Sequence, residues 1–296
     1  MELKKNICFI INPISGVGKK KTIPPLIEKH LDQTKFNYQI EYTKYRGHGR
    51  ELADSLKLKN DIIVAVGGDG SVNEIGSALI GSNCALAIIP CGSGNGLARH
   101  ARIPLNHAKA IQYINKATLT KIDVGSVNNQ YFLGTAGFGF DGFIAKRFDE
   151  FHKRGFLSYI KLVMNEYSKY KPNLFNITTD SLTFHKEALL CSVANSSQFG
   201  NGFTISPLSD LQDGKFEIIF LKPFKRRKIL GIALRFFRKT IHKSSSFESF
   251  DFENELKIKT QNGELIYFHL DGEPFEKANE FVVKVHAKEL MLLQNA

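Results

Sequence analysis

The sequence predicts two domains, an α/β domain built on a parallel sheet followed by an antiparallel β-sandwich. Its 296 residues suffice for two domains of ordinary size, since one domain takes about 150 residues. Up to about residue 117, short apolar runs alternate with helical patterns, as in βαβ units. Beyond that point strands and turns dominate, which is typical of a sandwich. We therefore expect one domain over residues 1–124 and the second over residues 125–280.

The first domain is expected to alternate strands and helices along the chain. The expected strands are 6–11, 36–42, 61–66 and 85–89, and the expected helices are 22–31, 49–58, 71–80, 96–101 and 106–117. Ligands of such sheets bind at the carboxyl ends of the parallel strands. Glycine-rich turns fall at three of those ends, in NPISG (12–16), GGDG (67–70) and PCGSGNG (90–96). We therefore expect a binding site at this edge of the sheet.

The second domain is expected to consist of short strands with two helical inserts. The strands are 121–127, 131–134, 174–179, 188–194, 216–221, 255–260 and 264–270, and the helices are 156–170 and 225–239. The segment GFGFDG at 137–142 matches the spelling of a dinucleotide-binding turn, but it lies outside the α/β region and no strand-ending acid follows about 20 residues later. We interpret it as a close-packed hinge between the domains.

The charge of the chain indicates its class of partner. Forty Lys and Arg against 29 Asp and Glu give a formal charge of +11, which attracts nucleic acid, anionic lipid or phosphorylated ligands. No recognised helix-turn-helix, RNA-binding or zinc pattern accompanies the charge, so we expect no nucleic-acid partner. The segment 222–243 carries nine basic residues and no acid. It is either a surface helix with solvated charge or an interfacial helix attracted to anionic lipid.

The sequence predicts a cytoplasmic location. The apolar run at 7–11 is too short for the core of a signal peptide, and the uncharged stretch 75–98 is interrupted by Pro90 and five glycines. The four cysteines have no CxxC spacing, and three lie in apolar runs, which suits buried thiols in a reducing compartment.

The segment GGDGSVNE at 67–74 follows the buried run DIIVAV and is the most informative in the chain. One interpretation is structural, because Ser71 and Glu74 have the spacing of a helix capping box. The other is phosphate binding, because glycines let main-chain N–H groups approach phosphates at a helix N-terminus, where Asp69 can hold Mg²⁺ or its waters. We favour phosphate binding, since a turn alone does not need two glycines, an acid and a glycine in succession.

The two other glycine-rich turns support a nucleotide site mainly because they are expected at the same edge of the sheet. NPISG is not a Walker A loop, which would need Gly at 13 and Ser or Thr at 20, where the chain has Pro13 and Lys20. Alone it is equally well read as an Asn-Pro turn. PCGSGNG adds Ser93 and Asn95 as polar groups at the same edge. Three such turns together predict a nucleotide site.

Two acidic turns precede or follow strands of the second domain. Asp210 and Asp213 lie in SPLSDLQDGKF, where an Asp-Gly hairpin turn is favoured and a hard-cation site is the alternative. In HLDGEP at 269–274, two carboxylates flank a glycine. This segment is either another Asp-Gly turn or the carrier of a general base beside a phosphate site.

Together these motifs resemble the diacylglycerol kinase catalytic-domain family, which includes bacterial lipid kinases and the sphingosine kinases. The resemblance is carried by NPISG at 12–16, GGDGSVNE at 67–74, PCGSGNGLAR at 90–99, GFGFDG at 137–142, SDLQDGKF at 209–216 and DGE at 271–273. GGDG alone also occurs in phosphofructokinases and NAD kinases, which lack the other elements in this order. The family fold implies a Rossmann-like (phosphofructokinase-like) nucleotide-binding domain and an antiparallel β-sandwich domain, with a last strand at 281–296 that returns to the first domain.

The resemblance implies ATP as the phosphoryl donor, Mg²⁺ as the metal, and roles for individual residues. Glu273 matches the family's proton acceptor, and Asp69 is the second catalytic candidate, close to the phosphates and metal. A structural Mg²⁺ is expected at Asp213, with Asp210 and Lys215 contributing through their carbonyls. The residues expected to line ATP are Asn12, Pro13, Ile14, Ser15, Gly16, Thr43, Gly67, Gly68, Asp69, Gly70, Ser71, Val72, Asn73 and Ser93.

The activity implied is ATP-dependent phosphorylation of a lipid hydroxyl of the diacylglycerol or sphingoid-base class. Many bacterial members carry GTxND where this chain has GSGNG at 92–96, a spelling closer to the sphingosine kinases. Diacylglycerol, sphingoid base, ceramide and phosphatidylglycerol therefore all stay open as substrates. An NAD kinase-like phosphotransferase and a non-catalytic, nucleotide-sensing membrane-associated module stay open as alternative functions. The expected partners are a lipid substrate and the anionic inner membrane surface, with a homodimer as a possible assembly.

Overall fold

The chain divides into two compact units. In the computed structural model, the described residues are 3–14, 22–150, 156–180 and 182–295. The first unit comprises Met1–Ile122 and Lys288–Ala296, and the second comprises Asp123–Ala287. The sequence prediction set the corresponding limits at residue 124 and residue 281.

The first unit begins with strands and helices in alternation. Its elements are β1 (Lys5–Ile11), α1 (Ile23–His30), β2 (Phe36–Tyr42), α2 (His48–Leu56), β3 (Ile62–Gly67), α3 (Asp69–Leu79), β4 (Ala85–Pro90), α4 (Gly96–His100) and α5 (His107–Ile114).

The remaining elements belong to the second unit, except that the first and last strands each run across the boundary between the units. They are β5 (Thr118–Val127), β6 (Gln130–Phe132), β7 (Thr135–Gly139), α6 (Phe140–Asp149), α7 (Phe156–Glu166), β8 (Asn173–Thr179), β9 (Thr183–Ala188), β10 (Leu190–Ala194), β11 (Gln198–Gly200), β12 (Phe203–Thr204), β13 (Phe216–Leu221), α8 (Ile229–Phe237), β14 (Phe247–Phe252), β15 (Glu255–Thr260), β16 (Ile266–Leu270), β17 (Glu273–Ala278) and β18 (Glu280–Gln294). Across the described part of the chain, no helix has both the length and the apolar character needed to cross a membrane.

The sheet of the first unit is parallel, in the order β2-β1-β3-β4. The C-terminal part of β18 adds to β4 in the same direction, with Leu292 opposite Leu86. Every residue of β3 and β4 is buried, which explains the unbroken apolar runs IIVAVG and ALAIIP. Helices α1 and α5 contribute Ile23, Ile27 and Ile111 to the core over this sheet. The predicted Rossmann-like α/β fold is confirmed.

The second unit is an antiparallel β-sandwich, as predicted. One sheet has six strands in the order β14-β13-β10-β7-β16-β17, and the other runs β9-β8-β15 to the N-terminal part of β18. Residues of both sheets share one buried cluster, with Phe138 and Phe216 from the first sheet and Phe175 and Phe281 from the second. Burial of these aromatic side chains is the main apolar contribution to holding the sheets together.

Several elements differ from the prediction. The segment GFGFDG is not a hinge between domains, because it forms the end of β7 and the start of α6 inside the second unit. The predicted strand 188–194 corresponds to β10, which begins two residues later. Strands β7, β9, β11, β12, β14 and β17 and helix α6 were not predicted. The sequence of β17, EPFEKA, is polar and contains proline, so it lacks the apolar alternation of a strand.

The cysteines are all free thiols. Cys8, Cys84 and Cys191 are buried, and Cys91 is half-buried. Burial raises the pKa of the Cys8 thiol to about 11 and that of Cys84 to about 12. Both are therefore protonated and unreactive at neutral pH.

Candidate functional site

The glycine-rich turns of the first unit follow the carboxyl ends of adjacent parallel strands. Ile11 at the end of β1 lies opposite Tyr42 of β2 and Val66 of β3, and Gly67 of β3 lies opposite Pro90 of β4. The residues that follow these positions are therefore neighbours at one edge of the sheet. The sequence-predicted nucleotide residues of the first unit that are described all lie at this edge.

The GGDG and PCGSGNG turns touch through their glycines. A Cβ atom added to Gly92 would lie 2.6 Å from Cα of Gly68, and one added to Gly68 would lie 3.3 Å from Cα of Gly92. Such distances leave no room for a side chain at Gly92. The glycines therefore allow two main-chain segments to pack directly against each other, as a cradle for phosphates requires.

Asp69 links the same two turns. Its Oδ2 accepts a hydrogen bond from the N–H of Asn95 at 2.8 Å, and its Oδ1 accepts one from the N–H of Gly96 at 2.7 Å. These donors lie at the start of α4, where a carboxylate also interacts favourably with the helix dipole. The described contacts of Asp69 thus position the loops. A role toward phosphate-bound metal stays a prediction.

The capping-box interpretation of Ser71 and Glu74 is wrong, because α3 begins at Asp69. The hydroxyl of Ser71, inside the helix, accepts a hydrogen bond from Nδ2 of Asn12 at 3.0 Å. The carboxylate of Glu74 instead accepts main-chain N–H groups at the start of α2, among them that of Gly49 at 3.1 Å. Both side chains of α3 therefore hold neighbouring turns.

The N-terminus of α3 suits an anion. The residue before the helix is Gly68, which has no side chain that could cap it. The N–H groups of the first turn have no partners within the helix, and the positive end of the helix dipole lies at the same place. With the side-chain-free turn of Gly67 and Gly68 beside it, this terminus is a candidate phosphate site, and binding of ATP there stays a prediction.

The other predicted nucleotide residues vary in exposure. Oδ1 of Asn12 accepts the N–H of Ile14 at 3.0 Å, which closes a turn around the intervening proline. Thr43 is buried and Ser93 is exposed. Residues 15–16 lie outside the described part of the chain.

The DGE segment of the second unit forms the hairpin between β16 and β17. Leu270 pairs with Glu273, and Asp271 and Gly272 form the two-residue loop between them. Both loop residues have positive φ, 49° and 83°, as a type I′ hairpin turn requires. The turn interpretation of the sequence is therefore confirmed, and it places Glu273 at the first position of β17.

Asp271 fixes this hairpin to the loop before β7. Its carboxylate accepts the N–H groups of Leu133, Gly134 and Thr135 at 2.8, 2.7 and 2.9 Å. Three charge-assisted hydrogen bonds make a strong anchor for a short loop. Glu273 next to it is half-buried. The anchor fixes the main chain from which the Glu273 side chain extends, and its role as general base stays a prediction.

The acidic turn of the second unit is held by a buried carboxylate that the sequence reasoning missed. Oδ2 of Asp123 accepts the N–H of Gly214 at 2.7 Å, and its main-chain N–H donates to the carbonyl of Leu211 at 2.6 Å. Asp123 is fully buried within β5. The sequence does contain a signal for this role, which is the single acid inside the apolar run KIDVG. Since a buried charge needs partners, such an acid is expected to hold a neighbouring segment.

The predicted metal residues fit Mg²⁺ in kind of donor but not in number. Oδ1 of Asp210 accepts the N–H of Gln212 at 3.0 Å, and Oδ1 of Asp213 accepts that of Lys215 at 2.9 Å. In the described residues, no three His, Cys, Asp or Glu side chains converge as a metal site would require. Two carboxylates need carbonyl and water oxygens to complete a Mg²⁺ shell. The ammonium of Lys215 binds Glu253 at 3.1 Å, which raises the pKa of that lysine.

Comparison with known proteins agrees with these two units. Residues 6–127 match the family model described as the diacylglycerol kinase catalytic domain, and residues 134–293 match the one described as a YegS C-terminal NAD kinase beta sandwich-like domain. The chain is 28% identical over 278 residues to the diacylglycerol kinase of Bacillus subtilis (strain 168), covering 91% of this chain and 90% of that one. It is 30% identical over 234 residues to the diacylglycerol kinase of Staphylococcus haemolyticus (strain JCSC1435), covering 74% and 68%.

Solved structures show the same fold. A crystal structure from Bacillus anthracis str. Sterne superposes with a TM-score of 0.81 at 24% identity, covering 100% of this chain and 99% of that chain. A second structure, of a diacylglycerol kinase from the same organism, gives a TM-score of 0.74 at 22% identity, covering 100% and 98%. The matches to both domain models, in the order the motifs predict, mean that the chain belongs to the diacylglycerol kinase catalytic-domain family of lipid kinases.

Proposed function

We propose that this protein transfers the γ-phosphoryl group of ATP to the hydroxyl of a lipid. The observation that carries the proposal is the pair of glycine turns in contact at Gly68 and Gly92, joined by Asp69 at the N-terminus of α3. These features belong to the unit that matches the diacylglycerol kinase catalytic domain. They supply what phosphoryl transfer mostly needs, which is positioning and stabilisation of charge.

In the proposed reaction, Glu273 is the general base. The lipid oxygen attacks the γ-phosphorus as the bond from that phosphorus to the β,γ-bridging oxygen breaks, and ADP leaves. The hydroxyl proton passes to the carboxylate of Glu273. When bound with ATP, Mg²⁺ would neutralise charge on the transferred phosphoryl group. The N–H groups at the start of α3 would hold the phosphates in place.

The substrate class is tested by phosphoryl transfer from labelled ATP. Diacylglycerol, sphingoid base, ceramide and phosphatidylglycerol are presented separately, and the products are separated by chromatography. Label in at least one lipid is the expected result. Because the segment GSGNG at 92–96 is closer to the sphingosine kinases, we expect the sphingoid base as well as diacylglycerol to be a leading candidate substrate. Absence of label in every lipid, with ATP bound, would contradict the proposal.

The two alternative functions give different results in the same assay. An NAD kinase-like enzyme would phosphorylate a soluble dinucleotide without lipid or detergent. The description of the sandwich family mentions NAD kinase, but it describes a fold, and the first unit matches the diacylglycerol kinase catalytic domain. A nucleotide-sensing module would bind ATP and transfer phosphoryl to no acceptor.

A surface of the second unit supports association with an anionic membrane. Helix α8 buries Ile229, Ile232 and Phe236, and the last two pack in one cluster with strands of the sandwich. Its other apolar residues are exposed: Leu230 by 65%, Leu234 by 46% and Phe237 by 40%. Their spacing of four and three residues places them along one line of the helix, which we call the apolar ridge. Exposed apolar side chains on a helix that also carries basic residues are typical of an interfacial helix.

Basic residues lie before, within and after the apolar ridge along the chain. Of the nine basic residues in 222–243, Lys222 binds Glu248, so its charge is compensated by an acid that lies outside the segment. The other eight have no acidic partner among the described ion pairs. Each basic group near an anionic bilayer contributes about 1 kcal/mol to binding. We propose that α8 and its flanks hold the enzyme on the inner membrane surface, where its lipid substrate lies. A homodimer stays a prediction.

A further inference from the structure

The segment GFGFDG contains a buried acid that the proposed reaction does not use. Asp141 in the first turn of α6 is only 6% exposed. Its Oδ2 lies 3.0 Å from Nε2 of His269 and accepts a hydrogen bond from the hydroxyl of Ser192 at 2.9 Å. Burying a carboxylate is costly unless it is paired, so the carboxylate of Asp141 needs these two partners.

The same histidine reaches the hairpin that carries Glu273. Nδ1 of His269 lies 3.1 Å from the main-chain nitrogen of Gly272 and accepts its N–H. Since Nδ1 accepts this hydrogen bond, a neutral ring carries its proton on Nε2, the nitrogen that faces Oδ2 of Asp141. One imidazole, 4% exposed, therefore connects a buried acid to the loop before Glu273.

The sheet is built to accommodate this cluster. Gly137 of β7 lies in register with Ser192 of β10 on one side and with His269 of β16 on the other. A Cβ atom at Gly137 would lie 2.2 Å from Oδ2 of Asp141 and 2.3 Å from Nε2 of His269. The missing side chain leaves the space that the carboxylate and imidazole occupy. This close approach explains the first glycine of the motif.

We propose that Asp141 and Ser192 orient His269, and that His269 is a positioning residue which holds the Gly272 N–H and so fixes Glu273. A two-residue Asp-Gly hairpin closes without outside help. This one is instead held from two sides, by His269 at Gly272 and by Asp271 on the loop before β7. The proposal rests on the proposed function of Glu273 as the base.

Two substitutions at His269 separate its hydrogen bond to Gly272 from its contact with Asp141. In His269→Asn the amide oxygen reaches the place of Nδ1 and keeps the bond to Gly272. In His269→Gln the longer amide reaches the place of Nε2 and keeps the contact with Asp141. The control is His286→Asn, which removes the ring of a half-buried histidine whose Nε2 lies 2.9 Å from Oγ of Ser126 in the same unit.

We expect His269→Gln to speed amide exchange at Gly272 about 10-fold and to lower kcat by about 10-fold to 10²-fold with KM for ATP unchanged, since misplaced catalytic groups have effects of this size. His269→Asn and His286→Asn should keep the exchange rate of the wild type and kcat within about threefold. A purely structural histidine would instead give kcat losses that follow the melting temperature in all three variants.

The readouts distinguish failure of this proposal from failure of the proposed function. Unchanged exchange at Gly272 in His269→Gln overturns it whether or not the protein is active. Faster exchange with wild-type kcat also overturns it. If wild-type protein phosphorylates no lipid, the proposed function fails, and the exchange rates alone decide whether His269 holds the hairpin.

Discussion

The carboxylate of Asp69 accepts the main-chain N–H of Gly96 at 2.7 Å and thereby joins the GGDG turn to the start of α4. The family pattern often places an acid at position 96, where this chain has glycine. A main-chain N–H can make this bond whatever side chain occupies the position. In this chain the link between the turns is therefore made by one carboxylate and two N–H groups.

Replacing Asp69 is expected to lower both stability and nucleotide affinity. Asp69→Asn keeps the shape but loses charge-assisted hydrogen bonds, each worth about 1.5 to 3 kcal/mol in a folded protein. We expect a lower free energy of unfolding in urea and weaker ATP binding by calorimetry. If Asp69 acts only through phosphate-bound metal, stability without nucleotide will equal that of the wild type.

The contact between Gly68 and Gly92 predicts that a methyl group at 92 is not tolerated. In Gly92→Ala the added Cβ would meet the main chain of Gly68, so the two turns must separate. We expect loss of ATP binding with the rest of the fold intact, measured by calorimetry and circular dichroism. The control is Gly231→Ala in α8, where an added Cβ has nothing within 4 Å. Equal ATP affinity in both variants would contradict the phosphate cradle.

The limits of sequence reasoning are visible in particular residues. The parallel strands were predictable because buried strands such as β3 and β4 are apolar throughout. The glycine-rich turns at the ends of these strands then predicted the nucleotide-binding edge, because ligands of such sheets bind there. The link from Asp69 to Gly96, the anchor of Asp271 and the pair of Asp141 with His269 were not predictable, because each joins residues that only the fold brings together. The fold was thus easier to predict than the hydrogen bonds that position its site.

The acidic turn gives a prediction about Mg²⁺. If Asp213 binds a structural cation, Mg²⁺ will raise the melting temperature of the wild type by mass action, and Asp213→Ala will abolish this increase. Glu253→Ala is a matched control, because it removes a nearby acid that binds Lys215 but was not expected to bind metal. Equal responses of wild type and Asp213→Ala would place the cation elsewhere or show that none binds.

The apolar ridge and its basic flanks predict two separable contributions to membrane binding. Replacing Arg226, Arg227 and Arg238 by Gln should weaken sedimentation with phosphatidylglycerol vesicles and flatten its salt dependence. Replacing the apolar ridge by serine should weaken binding while leaving the salt dependence unchanged, because burial of apolar surface is not screened.

The control for membrane binding has the same change of charge at another surface. Lys257, Lys259 and Lys284 each have an acidic partner, so their replacement by Gln should change vesicle binding less than the three arginines do. If the two triple variants bind equally, general charge attracts the protein and α8 is an ordinary surface helix.

The assignment of Glu273 as the base makes the sharpest prediction, because its hairpin is also an ordinary Asp-Gly turn. Glu273→Gln keeps the side-chain shape and the main-chain pairing with Leu270 but cannot accept the proton. We expect the fold and ATP affinity to be retained and kcat with the best lipid to fall by at least about 10², within the range for a positioned general base. Glu276→Gln, at an exposed position of the same strand, should keep wild-type kcat. Near-wild-type turnover by folded Glu273→Gln at saturating ATP and lipid would overturn the assignment and direct attention to Asp271 or Asp69.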